Sequence, residues 1–427
     1  MRKKLSAKVW ASFVLVGLVG QVAWTVENMY FNVFLYNTIS TDPTYIANMV
    51  AASAIAATVT TLLMGALSDK LGRRKVFIAG GYILWGISTL SFGFISVDRV
   101  AAWFPAANAV AMAAGLVVVM DCVMTFFGST ANDAAFNAYI TDVTDRSNRG
   151  RAESVLATFP LIAMLIVFGL LDGLTQQGRW QTFFMVIGVT VSAVGVISLF
   201  LLKDPDLERQ TGEPYFKNIV YGFRPEVIRG HGTLYIAFLA YLVFASAVQV
   251  FFPYLIIYMQ MYLGFENYAI ILGVVLIVAS VVSVSSGALI DKLGKLNVIL
   301  PAAAVMLAGL LAMYFTRSFL PVILAGIVMM SGYMLVTAIL SAIIRDYTPA
   351  DKVGLFQGIR MIFAVLLPMV IGPYIGAAVI RNSGATYEDL GVVKSVPTPG
   401  IFLAAAVVLA LVTVPVLALR KKHAPGQ

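Results

Sequence analysis

Long apolar runs alternate with short polar breaks along the whole chain. A helix that crosses the hydrocarbon of a bilayer needs ~20 mostly apolar residues, and twelve runs meet that need, six in each half. Their limits are 9–37, 46–67, 76–96, 107–140, 152–174, 180–202, 234–262, 269–290, 298–315, 319–344, 355–380 and 401–419. The fourth is long enough to extend past the bilayer at one end. The pattern predicts an all-α integral membrane protein, with twelve transmembrane helices in two pseudo-symmetric six-helix bundles.

The two-fold character lies in the breaks. Gly65-Ala-Leu-Ser-Asp-Lys-Leu-Gly72 returns, with one change, as Gly287-Ala-Leu-Ile-Asp-Lys-Leu-Gly294, an offset of 222. The same offset carries Glu27 to Gln249. A second pair, Ile140-Thr-Asp-Val-Thr144 and Ile344-Arg-Asp-Tyr-Thr348, has an offset of 204 and matches Gly150 to Gly354. Repeated membrane units of this kind mark transporters. The reading divides the chain into a first bundle (1–202), a polar linker with Pro205, Pro214 and Pro225 (203–232), and a second bundle (233–427).

Composition agrees, with 60% hydrophobic and 12% charged residues and a mean hydropathy of +0.90. The net charge of +8 has a topological origin. Alternate loops hold 23 of the 29 Lys and Arg residues, among them Arg2, Lys3 and Lys4, Lys70 to Lys75, Arg146 to Arg151, Lys203 to Arg229, and Arg420 to Lys422. Cations are retained on the cytoplasmic side, so both termini are expected there, in a multi-pass protein of the cell membrane. No nucleic-acid partner is needed to explain the charge. The first run is expected to stay as an uncleaved span, because it is long and contains Glu27. The lone Cys122 excludes an intrachain disulfide.

By its repeated loop motif the chain resembles the major facilitator superfamily. Gly65 to Leu71, continuing into Gly72-Arg73-Arg74-Lys75, is similar to the superfamily's loop signature G-x-L-x-D-x-x-G-R with two further basic residues. Its degenerate copy and the long middle loop fit too, so the resemblance covers essentially the whole chain. Within the superfamily, 140–144 with Arg149-Gly-Arg-Ala152 looks most like the sugar–cation symporter branch, of melibiose and sucrose type. Melibiose-type carriers hold sodium with acids on the second span. Here 46–67 contains no acid, which favours H+ over Na+ as the coupling cation.

The resemblance implies a gate at the signature loops. Asp69 would sit against the start of the eleventh span near Gly354, with Arg73 pairing it and Gly65 and Gly72 shaping the turn. Asp291 would do the same near Gly150, with Asp142, Arg149 and Asp346 in the matching loops. A carboxylate near a helix N-terminus gains roughly 0.3–1 kcal/mol. The alternative is that these are solvated charges that secure topology.

Ionisable groups inside the spans are the other candidates, since a charge at mid-bilayer costs at least ~2.5 kcal/mol on insertion scales. Glu27 and Asp121 each lie within about 5 Å of their span's midpoint, at 1.5 Å rise per residue. The resemblance places spans 1, 4, 7 and 10 around a central cavity. Two acids of matching depth there suit a site that takes up H+ or a cation on one side and releases it on the other; structural hydrogen bonding is the alternative. Trp24, Glu27, Asn28 and Phe31 have the i, i+3, i+4, i+7 spacing of one helical face. With Asn132, Gln249, Tyr254, Tyr258 and Tyr333, and with Thr337, they form a polar and aromatic set suited to a sugar, or else serve as packing. Asp133 and Arg360 lie about 10–14 Å to the cytoplasmic side of their midpoints, an expected inner gate, with Asn137 beside them. Arg360 is also a candidate for substrate binding. Asp172 is expected at a solvated helix end.

Enzyme chemistry has no foothold. The only histidines, His231 and His423, lie in cytoplasmic segments, and no metal site or cofactor is expected. The reading is a monomeric secondary transporter that moves a small polar solute, a sugar or glycoside, by cation-coupled symport through alternating access. An H+-coupled exporter of drugs or other amphipathic solutes, or a lipid transporter, is the runner-up.

Overall fold

A computed structural model describes residues 5–105, 108–144, 148, 152, 155–204, 222–349, 353–389 and 392–423. Among these, twelve helices are long and apolar enough to cross a membrane. They are α1 (Ala7–Thr38), α2 (Pro43–Leu71), α3 (Arg74–Phe94), α4 (Ala109–Val143), α5 (Phe159–Gln176), α6 (Trp180–Leu201), α7 (Gly232–Tyr262), α8 (Tyr268–Leu293), α9 (Lys295–Phe315), α10 (Phe319–Tyr347), α11 (Gly358–Asn382) and α12 (Gly400–Lys422). The protein is a multi-pass membrane protein of the expected all-α class. One small exception is an antiparallel hairpin, β1 (Thr386–Asp389) with β2 (Val392–Ser395), which pairs Thr386 with Ser395 in the stretch between α11 and α12. Its ladder satisfies backbone groups that a bare loop would leave to solvent.

The signature turns end their helices in the same way in both halves. Gly72 has φ 63° and its N–H donates to Ser68 O at 3.0 Å; Gly294 has φ 85° and donates to Ile290 O at 3.0 Å. A left-handed residue after the last turn is where glycine avoids a Cβ clash. Each helix therefore runs through Asp-Lys-Leu, past the end of the apolar run, and stops at the glycine.

The chain forms two compact units, Met1–Ser40 with Ala52–Phe216, and Thr41–Ala51 with Lys217–Gln427. The first turns of α2 thus join the second unit. There Tyr254 Oη donates to the carbonyls of Pro373 (2.8 Å) and Pro43 (3.3 Å), and Tyr374 Oη donates to Asn48 Oδ1 (2.7 Å).

Inside each unit, small residues let helices cross at close range, the main source of helix association where lipid removes the hydrophobic drive. In the first unit α3 meets α6 at Gly86 and Gly188, and a Cβ on Gly86 would lie 2.3 Å from Gly188 O. In the second unit α9 meets α10, and a Cβ on Gly309 would lie 2.3 Å from Met329 N. Aromatic rings fill the rest of the first unit: Phe31 lies 4.4 Å from Phe92 and Phe34 lies 5.0 Å from Phe184, centroid to centroid.

Regular helix is interrupted by π turns, in which the backbone bond reaches one residue further. They include Val26–Tyr30 in α1, Ser129–Phe136 in α4, Tyr258–Tyr262 in α7 and Ile362–Leu366 in α11.

Candidate functional site

Glu27 lies in the π turn of α1 and is 8% exposed. Ser53 Oγ from α2 and Thr125 Oγ1 from α4 both donate to Glu27 Oε1, at 2.7 and 2.9 Å, and the two hydroxyl oxygens are 3.1 Å apart. Asp121, one turn before Thr125, is 2% exposed. Glu27 Oε2 and Asp121 Oδ1 are buried with no hydrogen-bond partner. Among the described residues no Lys, Arg or His pairs with either acid. The two acids picked out by depth therefore lie in the interior of the first unit, Asp121 one helical turn from Thr125, and Glu27 is held by two hydroxyls that hydropathy could not single out.

A second polar cluster lies beside it. Trp24 Nε1 donates to Asn132 Oδ1 (3.3 Å), Asn132 Nδ2 donates to Tyr82 Oη (2.7 Å), and Tyr82 Oη donates to Val16 O (2.7 Å). This chain ties α1, α3 and α4 together, and Trp24 packs on Trp85 at 4.9 Å. Ser129 Oγ donates to Asp133 Oδ2 at 2.9 Å, while Asn137 turns back to the Asp133 carbonyl. Asn132 and Asn137 thus serve different neighbourhoods.

The expected single face through Trp24, Glu27, Asn28 and Phe31 is not observed. The π turn breaks the 3.6-residue period on which that spacing rests. Phe31 is fully buried between Phe92 and Phe184, whereas Asn28 is exposed and bonds the carbonyl of Trp24. Asp172 also departs from expectation. It is 2% exposed, and accepts from Tyr30 Oη (2.8 Å) and Gln176 Nε2 (2.6 Å), so it is a buried fastener rather than a solvated helix end.

At the first signature turn the pairing cation is Arg74, in place of the expected Arg73. Arg74 Nη2 meets Asp69 Oδ1 at 2.6 Å, its Nε meets Asp142 Oδ2 at 2.9 Å, and its Nη1 donates to Ser68 Oγ at 2.6 Å. Arg73 precedes α3 with its side chain in solvent. Being the first residue of α3 turns Arg74 inward over the ends of α2 and α4. In the second unit Lys295 pairs with Asp346 at 2.5 Å, both partly exposed. Arg149, Gly150 and the side chain of Asp291 lie outside the described residues, as do the surroundings of Gly354. Gly65, in α2, has only the Ala134 methyl near its Cβ position.

The second unit's candidates are largely packed. Tyr258 is fully buried, stacks on Tyr262 (5.3 Å, 16°), meets Phe402 edge-on, and has a buried hydroxyl with no partner. Tyr254 is fully buried, with its hydroxyl held by carbonyls. Tyr333 stacks on Phe244 at 5.8 Å, and Thr337 donates to the Tyr333 carbonyl. Gln249 is half-buried where α7 crosses α11 at Gly372. Arg360 Nη2 reaches Ser341 Oγ at 3.4 Å. No group of three His, Cys, Asp or Glu able to hold a metal ion occurs among the described residues.

Three solved structures share this fold over nearly their whole length. A mutant form of the nucleoside transporter NupG superposes with a TM-score of 0.73 at 13% identity, covering 96% of this chain and 99% of that one. A bacterial homologue of the human lysosomal transporter Spinster gives 0.70 at 13% identity, covering 97% and 96%. The xylose transporter XylE from E. coli gives 0.68 at 14% identity, covering 96% and 97%. No curated protein matches the sequence. The sequence model of the Major Facilitator Superfamily matches residues 13–364 and 287–427. Matched by this model over most of its length, the chain belongs to the Major Facilitator Superfamily, a family of transporters and not of enzymes.

Proposed function

We propose that the protein is a cation-coupled symporter that carries a small polar solute, a sugar or glycoside, by alternating access. H+ is the coupling cation, and the protein works as a monomer in the cell membrane with both termini in the cytoplasm. The observation that carries this reading is the pair of buried acids, Glu27 and Asp121, with no cationic partner among the described residues. An acid kept in a membrane interior is there for a role or a partner, and no basic group accounts for this pair. Gln249 stands at the position matching Glu27, so coupling is assigned to the first unit. The Trp24–Asn132–Tyr82 chain beside the acids offers aromatic faces and amide groups of the kind that hold ring-bearing polar solutes. Nucleosides and xylose, the cargo named for two structural neighbours, are of that chemical type. The hub of Asp69, Arg74 and Asp142 is read as the gating element at the α2–α3 turn.

The test is uptake by proteoliposomes of a panel of monosaccharides, glycosides and nucleosides, under an imposed pH gradient, a sodium gradient or neither. Accumulation of a glycoside driven by pH and lost in Glu27→Gln supports the reading. Extrusion of amphipathic compounds against a proton gradient would transfer the assignment to an exporter. Accumulation driven by sodium alone would replace the coupling ion.

A further inference from the structure

Two of the wide turns meet inside the first unit. In α1 the Phe31 N–H reaches back to Val26 O and encloses 27–30; in α5 the Asp172 N–H reaches back to Val167 O and encloses 168–171. Tyr30, the last residue enclosed in α1, is fully buried, and its Oη donates to Asp172 Oδ1 at 2.8 Å. Its ring lies 6.2 Å from that of Phe168, inside the α5 turn, and 5.4 Å from that of Phe183 in α6. Glu27, the first residue enclosed in α1, reaches elsewhere, to Ser53 of α2 and Thr125 of α4. In a regular helix residues three apart share one face. The wide turn spreads them, so that Glu27 and Tyr30 engage different helices at the same time.

We propose that Tyr30 and Asp172 are positioning residues for Glu27: their hydrogen bond pins the wide turn of α1 against that of α5 and so keeps the Glu27 carboxyl on the Ser53 and Thr125 hydroxyls. This role rests on the coupling function of Glu27 and names what holds its carboxyl in place. Asp172 is a fixed point for Tyr30, because its own N–H closes the α5 turn and Gln176 Nε2 donates to its second carboxyl oxygen at 2.6 Å. A π turn is a single widened step within an α-helix, and the helix around it favours regular winding. While Tyr30 is tied to α5, regular winding would have to break a buried hydrogen bond, and the turn stays open. Without the tie it can close or slide by one residue, and either movement carries Glu27 off its two donors. The acid and the tyrosine thus hold one turn from opposite ends.

Infrared spectra of the purified full-length protein test this at the carboxyl itself. Subtracting the Glu27→Gln spectrum from that of the parent isolates the Glu27 carboxyl, protonated or ionised, and its stretching frequency moves with the number of hydroxyls donating to it. Ser53→Ala and Thr125→Ala, each removing one donor, set the scale. The same subtraction in a Tyr30→Phe or an Asp172→Ala background should displace the Glu27 frequency by at least the smaller of those two shifts. Asp172→Asn should leave it in place, since the amide oxygen still accepts from Tyr30 and the Gln176 amide can turn its oxygen to the new N–H. An unmoved frequency in folded Tyr30→Phe or Asp172→Ala overturns the positioning role. So does a displaced frequency in Asp172→Asn, which decides the matter if the other two variants fail to fold. Coupling is read separately: pH-driven accumulation in proteoliposomes that survives Glu27→Gln removes the coupling function and leaves the frequency result standing.

Discussion

The two units use one repeated turn and place different charge on it. Gly72 and Gly294 cap their helices alike, but the residues after each glycine differ. In the first unit Arg74, with a side chain 6% exposed, binds Asp69, Asp142 and Ser68. In the second unit Leu296 stands at the position of Arg74, and among the described residues Lys295 pairs with Asp346, with side chains 29% and 54% exposed. The same asymmetry recurs in the membrane interior, where the first unit has Glu27 and Asp121 and the second has Gln249. The two turns share their backbone geometry, while the buried ionic chemistry of the described residues is concentrated in one half.

That contrast can be broken most sharply at the acids. Glu27→Gln should abolish accumulation above equilibrium while leaving downhill exchange, and Gln249→Glu in that background should not restore it, because the Ser53 and Thr125 hydroxyls stay with the first unit. Restored accumulation in the double variant would show that the two halves are interchangeable. Valine at Gly86 or at Gly309 should be nearly as damaging. Each adds a Cβ 2.3 Å from a backbone atom, beyond the ordinary overpacking cost of about 1–3 kcal/mol. Folded yield by size-exclusion chromatography reads this, and normal yield in either variant would show that the crossing can open.

Arg74→Ala should cost about 3 kcal/mol, the low end for stranding a buried charge, since Asp69 is half-exposed. Lys295→Ala should cost less than about 1 kcal/mol, and Arg73→Ala about as little. Thermal unfolding in detergent compares the three, and equal losses for Arg74 and Lys295 would erase the difference between the halves. Tyr30→Phe tests a smaller fastener. It removes a hydroxyl donor from buried Asp172 and should cost about 1–3 kcal/mol in the same assay.

The fold was legible in the sequence because membrane helices declare themselves by length and apolarity, and the paired octapeptide carries its own register. Depth along a span was enough to select Glu27 and Asp121. It did not select Ser53 or Thr125, since a hydroxyl within an apolar run bonds its own backbone as readily as a distant carboxylate. Choosing Arg73 over Arg74 failed for a related reason: in a run of three cations, burial depends on which residue begins the next helix. The face through Trp24 and Phe31 assumed a constant period, and nothing in Val26-Glu-Asn-Met-Tyr30 advertises the wider turn.

The wider turns also have a consequence for chain length. A π turn holds one residue more than the α-helix around it, so deleting a single residue there can restore regular helix instead of breaking it. Such a deletion in 28–30 would close the wide turn with little net rotation of the two parts of α1, so that only the residues left inside the turn change face. The helix would still span, and the protein would still insert. The width of this turn is thus recorded as one residue of chain length, a quantity that a single deletion can change at the loss of one side chain.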